Sequence, residues 1–174
     1  MKAVFVLLAL MMLLLVGIAV VGALLPRSHT LRLEARFSRP PEAVWDAITD
    51  YRKFPELRGD VRSVEPLPPR DGRAVWREQT TSGAIPYEVV EARPPQRLVT
   101  RIADPNLPFG GTWTYELVPD SGGCILTITE NGEVYNPVFR FISRFVIGQS
   151  ATINRYLRAL GRKFGEQVSP QEVR

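Results

Sequence analysis

The stretch that decides the fold is residues 38–60, SRPPEAVWDAITDYRKFPELRGD. Pro40 and Pro41 suit a first helical turn, where the missing backbone N–H would be unpaired anyway, and Glu42 complements the positive amino end of a helix. Apolar residues then recur at helical spacing and predict a short amphipathic helix, while Pro55 limits a second helix to a turn or two. Helices this short are marginal in water. They therefore predict a larger surface on which both are docked.

Segments with strand character surround the two helices. Before them, residues 30–38, TLRLEARFS, alternate apolar and polar side chains. After Gly59, six short segments rich in Val, Ile, Thr and aromatic residues are separated by turn sequences such as PPRDG and PDSGG. Parallel strands would need crossovers of a dozen or more residues, so these connections predict an antiparallel meander. A last apolar stripe at three- and four-residue steps predicts a helix from residue 137 to about residue 164.

The whole pattern predicts an α+β fold. A curled antiparallel sheet of seven strands has one face to bury, and the long carboxyl-terminal helix covers it. The two short helices after the first strand close one end of the curl. One transmembrane helix precedes this domain.

The amino terminus is the basis for that transmembrane prediction. Residues 3–25 carry no charge and would form a helix of roughly 35 Å, enough to cross a hydrocarbon core of ~30 Å. A cleaved signal peptide is the alternative, although its apolar region is usually only ~7–15 residues long. Basic residues after the span favour a cytoplasmic domain, whereas the very short amino-terminal tail favours the other side, so the orientation stays open. We expect a single-pass membrane protein with an anchor at 1–27, a ligand-binding domain at 28–168 and a disordered tail at 169–174.

Several segments carry a resemblance to a known family, and together they cover roughly residues 30–166. They are PPEAVWDAITDYRKFPEL, WREQ, PYEVVEARPPQRLVTRI, GGTWTYELVP, ITENGEVYNPVFRFISRF and YLRALGRKFGE. They resemble the polyketide cyclase/dehydrase and lipid-transport branch of the SRPBCC superfamily, which is START-like and has the helix-grip fold of the Bet v 1 allergens. The resemblance implies that fold, commonly with an interior cavity. It does not fix a function, because the superfamily includes lipid carriers, hormone receptors, ubiquinone binders and a few enzymes.

Strand parity predicts the side chains that face the interior. Arg73 and Arg77 share one face of their strand and indicate solvent there, which turns Trp76 and Glu78 inward. The predicted cavity lining is Trp76, Glu78, Tyr87, Trp113, Tyr115, Ile128, Glu130, Ile142, Phe145, Ile153 and Tyr156. An aromatic wall with few polar groups suits an apolar ligand, although such rings can also simply fill a core. We therefore predict membrane-anchored binding or transport of a lipid or isoprenoid-like molecule, oriented by Glu78 or Tyr115.

Two other functions remain as alternatives, a cyclase- or dehydratase-like enzyme that uses cavity Glu and Tyr residues and an interaction module of an envelope complex. Glu78 and Glu130 would lie four strands apart, about 19 Å in a flat sheet, too far to share a proton without strong curling. His29 is the sole histidine and adjoins the predicted span, and Cys124 is the sole cysteine. The sequence therefore predicts no catalytic residue, no cofactor and no site based on histidine, cysteine or a metal.

Basic residues on the terminal helix suggest a membrane surface. The five that share one face are Arg140, Arg144, Arg155, Arg158 and Arg162. Beside an anchor, each of these arginines could lie against anionic headgroups and contribute ~1 kcal/mol to membrane binding. The alternative is a helix face exposed to solvent. The chain has a net charge of +4, but its basic residues do not belong to a recognised nucleic-acid-binding motif. The expected partners are an apolar small molecule and the membrane, with no nucleic acid and with protein partners left open.

Overall fold

The computed structural model describes residues 2–148 and 150–173. Its first half contains α1 (Lys2–Leu24), β1 (Ser28–Phe37), α2 (Pro41–Thr49), a 3-10 turn (Tyr51–Lys53) and α3 (Phe54–Leu57). The meander contains β2 (Val61–Arg70), β3 (Arg73–Thr80), β4 (Gly83–Arg93), β5 (Arg97–Ile102), β6 (Phe109–Asp120) and β7 (Gly123–Val134). The remaining elements are α4 (Pro137–Ile142), a π-helical turn (Ser143–Ile147), α5 (Ala151–Lys163) and β8 (Gln171–Glu172).

The strands form one antiparallel sheet in the order β2-β3-β4-β5-β6-β7-β1-β8. This confirms the predicted meander and the α+β class. Since β1 pairs with β7 and β2 lies at the opposite edge, α2 and α3 carry the chain across the full width of the sheet. Val44, Phe54 and Leu57 on these helices are buried in the main core, which is the docking that their length requires.

The carboxyl-terminal tail differs from the prediction of disorder. Gln171–Glu172 form a short strand that pairs with β1 at Leu33 and Glu34. The backbone N–H of Val173 also donates to the carbonyl of Arg32, at 2.9 Å. The tail thus covers part of an edge of β1 that would otherwise expose unpaired backbone groups.

The carboxyl-terminal helical segment is present but interrupted. Gly148, at φ +82°, ends the π-helical turn, and α5 starts three residues later. Asn136 caps the first part, because its side-chain oxygen accepts from the N–H groups of Val138 and Phe139 at 2.9 and 3.2 Å. The interruption lets the two parts face different partners: α5 packs on the sheet and α4 packs on α1.

Helix α1 is long and apolar enough to cross a membrane, a criterion that a signal sequence near the amino terminus would also meet. Its carboxyl end lies against the domain. A Cβ on Gly22 would come within 1.9 Å of the carbonyl oxygen of Pro137, so only glycine allows the two backbones to approach this closely. The carbonyl of Arg27 then accepts from the N–H of Val134 at 2.8 Å and continues the contact into the sheet.

Candidate functional site

The inner face of the sheet carries two groups of aromatic rings. In the first, Trp76 is stacked between Tyr51 and Tyr87, with ring centroids 4.8 and 5.7 Å apart. Trp76 and Tyr87 face each other across β3 and β4, as parity predicted. Tyr51 belongs to the 3-10 turn and was absent from the predicted lining, because a turn has no periodicity from which to infer a direction.

The second group is centred on Tyr156 of α5. Its ring contacts Trp113, Tyr115 and Phe54 at centroid distances of 5.7, 6.0 and 6.4 Å. Tyr156 is only 3% exposed, and its hydroxyl has no hydrogen-bond partner of good geometry among the described residues. Burial raises the pKa of Tyr156 and of Tyr115 above the usual value, and the proximity of the Tyr115 hydroxyl offsets only a small part of the rise at Tyr156. Both hydroxyls therefore stay protonated and can donate.

A buried ion pair lies beside the first aromatic group. Glu78 is 1% exposed and accepts from Trp76 Nε1 at 3.1 Å and from Arg58 Nη1 at 2.9 Å. Arg58 also donates through Nη2 to Asp60 Oδ2 at 2.8 Å. Burial raises the pKa of Glu78, and the charge of Arg58 opposes that rise. Because both carboxylate oxygens have donors, Glu78 is anchored in place.

Sequence reasoning placed Glu78 correctly on the inner face but missed Arg58 and Asp60. Both lie in the RGD that ends the opening stretch, between α3 and β2, where neither helical nor strand period applies. One feature of the sequence could have indicated Arg58: Glu78 was predicted to point inward, and a buried carboxylate needs a cationic partner.

Glu130 lies away from Glu78 and has different neighbours. Its Oε1 is 3.6 Å from His29 Nε2, and its Oε2 is buried with no partner among the described residues. The sequence placed His29 beside the span and away from the interior, but the structure includes it in β1 next to Glu130. β1 already begins at Ser28, so the residue next to the predicted span is part of the sheet. Gly132 leaves room for the pair, because a Cβ there would meet the His29 imidazole at 2.5 Å.

The structure brings most of the predicted lining together but not all of it. Ile128, Ile153 and Tyr156 are buried in the core, and Trp113 packs against it. Phe145 does not join them, because it is 59% exposed and packs on Phe141 instead, at 4.9 Å. The prediction assumed that one continuous helix carries the apolar stripe past Gly148, but the helix is interrupted there. Ile142, also before the break, is only half-buried and lies outside this core.

The five predicted surface arginines do not form one stripe. Arg140 is 7% exposed and donates to the carbonyl oxygens of Leu25 and Tyr135 at 2.8 and 3.3 Å. Its placement on a membrane-facing surface was therefore wrong, since the side chain is turned towards the end of α1. Arg144 is exposed in the π-helical turn, and the exposed arginines of α5 are Arg155, Arg158 and Arg162.

The aromatic groups line neither of two cavities that open among the described residues. One of about 170 Å³ lies where α1, the start of β1 and the end of α4 meet. The other, about 500 Å³, lies on the sheet face opposite to Tyr87, beside the buried Glu88 and its partners Arg70 and Arg101. Among the described residues, no group of three His, Cys, Asp or Glu side chains is placed to hold a metal ion.

Comparison with known proteins agrees with this architecture. Many solved structures are similar to this chain, including the following three, and at identities of 11–20% the similarity concerns the fold. ZhuI aromatase/cyclase from Streptomyces sp. R1128 is 11% identical with a TM-score of 0.63, and the match covers 78% of this chain and 93% of that one. TTHA0849 from Thermus thermophilus is 20% identical with a TM-score of 0.62, covering 76% and 94%. MLL2253 from Mesorhizobium loti is 18% identical with a TM-score of 0.59, covering 79% and 97%.

The family assignment comes from sequence. A search of curated proteins finds no match. Residues 28–165, well over half of the chain, match the family model described as polyketide cyclase / dehydrase and lipid transport. With the helix-grip sheet, the two short helices and the terminal helix in place, this confirms the resemblance seen in the sequence. The chain belongs to the polyketide cyclase / dehydrase and lipid transport family.

Proposed function

We propose that this protein binds one apolar, ring-bearing small molecule on the inner face of its sheet while α1 holds it at a membrane. The observation that carries the proposal is the hydroxyl of Tyr156, which is buried and protonated among aromatic rings and has no well-aligned partner among the described residues. Leaving such a group unsatisfied costs about 1–3 kcal/mol. A ligand that brings a carbonyl or hydroxyl oxygen to Tyr156 removes that cost, and its apolar part replaces ring-to-ring contacts with Trp113 and Tyr115.

Entry of the ligand requires movement, because the rings now contact one another. The π-helical turn and Gly148 separate α4 from α5, and such interruptions of a helix often mark hinges. Displacement of α5 at this hinge would move Tyr156 away from Trp113. The bound molecule would then occupy the space between the helix and the sheet.

The membrane attachment is supported by the contacts at the end of α1. Gly22 packs on Pro137, Arg140 donates to the carbonyl of Leu25, and the N–H of Val134 donates to the carbonyl of Arg27. A segment destined for removal needs no such specific contacts, so they favour a retained anchor over a cleaved signal peptide. Exposed apolar side chains next to this contact would face lipid: Val138, Phe139, Phe145 and Val146.

A cyclase- or dehydratase-like activity is the second candidate. The specific observation in its favour is the pair of His29 and Glu130, 3.6 Å apart, with one buried carboxylate oxygen unpaired. An imidazole and a carboxylate are groups that transfer protons near neutral pH. In this proposal the pair acts on a carbonyl compound held by Tyr156. His29→Gln would then abolish turnover of a bound compound and leave its retention intact.

The test is native mass spectrometry of the full chain, purified in detergent from its own cells, followed by solvent extraction. We expect an apolar molecule to co-purify. Tyr156→Phe removes only the hydroxyl and should lower retention about three- to tenfold, the value of one hydrogen bond. Tyr135→Phe is the matched control, since that hydroxyl is exposed and donates to Glu133 at 2.7 Å. A wild-type protein free of any bound molecule, or equal retention by both variants, would overturn the proposal.

A further inference from the structure

The cavity of about 170 Å³ has an unusual lining. Its polar lining residues are three arginines, one histidine and two serines: Arg27, Ser28, His29, Arg140, Ser143 and Arg144. The described residues that line it include no carboxylate. A cavity walled by guanidinium groups favours an anion.

Arg140 gives the second, independent indication. The side chain is more than nine-tenths buried, its Nη atoms donate to backbone carbonyls, and its Nε has no partner among the described residues. A buried guanidinium N–H without an acceptor is costly. Because Arg140 also lines the cavity, a small shift of its side chain would let an oxygen of an anion there accept from this N–H.

Opposing charges do not cancel the positive field. The carboxyl end of α1 contributes about half a negative charge through its free carbonyls, and Arg140 already binds the carbonyl of Leu25. Glu130 contributes one negative charge beside a lining residue, with its Oε1 3.6 Å from His29 Nε2. The two guanidinium charges of Arg27 and Arg140 exceed these contributions even when Arg144 is left out of the sum, so the cavity stays electropositive.

Size and position narrow the class of ligand. The volume is several times the ~30 Å³ that one water occupies, but it is below the ~300–1,000 Å³ of pockets that enclose drug-sized molecules. A phosphate-sized group fits in this volume, and the basic lining favours such a group over an uncharged one. The cavity also adjoins the end of α1, the depth at which a membrane-spanning helix would meet lipid headgroups.

We propose that this cavity binds a phosphate-type anion, supplied either as the phosphate of an anionic lipid headgroup or as free phosphate. Guanidinium groups pair with phosphate oxygens through parallel N–H···O bonds, which gives both strength and orientation. Only the lipid source rests on the membrane attachment proposed above. The anion site itself stands on Arg140 and the cavity lining.

The test uses the full chain in two arms. Inorganic phosphate is titrated onto protein in neutral detergent, and separately the protein is placed in nanodiscs of phosphatidylcholine with or without phosphatidylglycerol. Binding is read from the thermal midpoint and from native mass spectra. The double variant R27Q/R144Q should weaken binding at least tenfold, since a hydrogen bond to a charged group is worth about 1.5–3 kcal/mol. R155Q/R158Q on α5 removes the same charge elsewhere and should change binding less than twofold.

The outcomes distinguish free phosphate from a lipid headgroup, and they test the anion site separately from the proposed binding of an apolar molecule. Phosphate binding in detergent identifies free phosphate as sufficient, and binding only in discs with phosphatidylglycerol identifies the headgroup. Equal losses in both double variants would show general surface attraction and overturn the inference, as would absence of binding in both arms. Retention of the apolar molecule by R27Q/R144Q is measured in parallel, so this inference can fail while the proposed function stands, and the reverse.

Discussion

The Arg58–Glu78 pair allows a quantitative test of the interior. Their side chains are 15% and 2% exposed, so Arg58→Met leaves a carboxylate that water cannot reach. Breaking one side of a buried pair costs about 3–5 kcal/mol. We expect urea unfolding of the full chain in detergent, followed by tryptophan fluorescence, to show that loss at pH 7. Trp76, one of three tryptophans in the chain, donates to Glu78 and so contributes a signal from the pair itself.

The pH dependence of this loss has a defined sign. Burial already raises the pKa of Glu78 above its usual 4.5, and removing Arg58 raises it further. A carboxyl with a raised folded pKa favours the folded state below its unfolded pKa and loses that advantage as the pH rises through the folded pKa. Asp60 changes the deficit in the same direction. In the wild type, the effect of Arg58 outweighs that of burial and lowers the pKa of Asp60, and this stabilisation is lost from the wild type as the pH falls. The deficit of Arg58→Met should therefore shrink from pH 7 towards pH 4.5.

A matched control makes the result decisive. Arg77 pairs with Glu65 at 3.0 Å, but both side chains are well exposed, so Arg77→Met should cost less than about 1 kcal/mol. The double variant Arg58→Met/Glu78→Leu removes both charges and should regain most of the stability, because apolar replacements of buried pairs are often neutral. A deficit equal to that of the control, or one that grows towards acid, would refute the reasoning.

Three further predictions concern packing. Gly22→Val should speed hydrogen exchange of the α4 amides at least tenfold by forcing α1 away, whereas Gly17→Val, with no atom within 4 Å of its added Cβ, should not. Cys124 is buried with its pKa raised by burial to about 11, so a maleimide at pH 8 should label native protein at least a hundredfold more slowly than unfolded protein; rapid native labelling would contradict that burial. Gly148→Ala should cost about 1–3 kcal/mol in urea unfolding, because φ +82° strains any Cβ, and an unchanged midpoint would argue against the interruption.

Local patterns were sufficient to predict most of the fold. The alternation in β1, the prolines before α2 and the turn clusters between strands each act over a few residues, and all of them appear in the structure. β8 could not be predicted this way. Two residues have no period, and Gln171–Glu172 form a strand only because the edge of β1 lies next to them.

The inner face was predictable in the sheet and less so in the helix. Parity placed Trp76, Glu78 and Tyr115 correctly, because a strand alternates rigidly wherever its register holds. A helical stripe loses its direction at a glycine with positive φ, which is why Phe145 was misplaced. Arg140 was missed for another reason: its acceptor at Leu25 is 115 residues away in sequence, and no local pattern reports such a contact.

These contacts also change which residues can hold a ligand. The sequence predicted Glu78 or Tyr115, but both oxygens of Glu78 already accept hydrogen bonds from Trp76 and Arg58. Among the described residues, the buried inner-face atoms without a hydrogen-bond partner include the Tyr156 hydroxyl, a donor, and Glu130 Oε2, an acceptor. Trp113 lies directly opposite Glu130 in the β6–β7 ladder and packs edge-on against Tyr156. A flat ligand with an acceptor oxygen and a hydroxyl could therefore lie along the Trp113 ring with both groups satisfied, which is the chemistry that we propose for the apolar molecule.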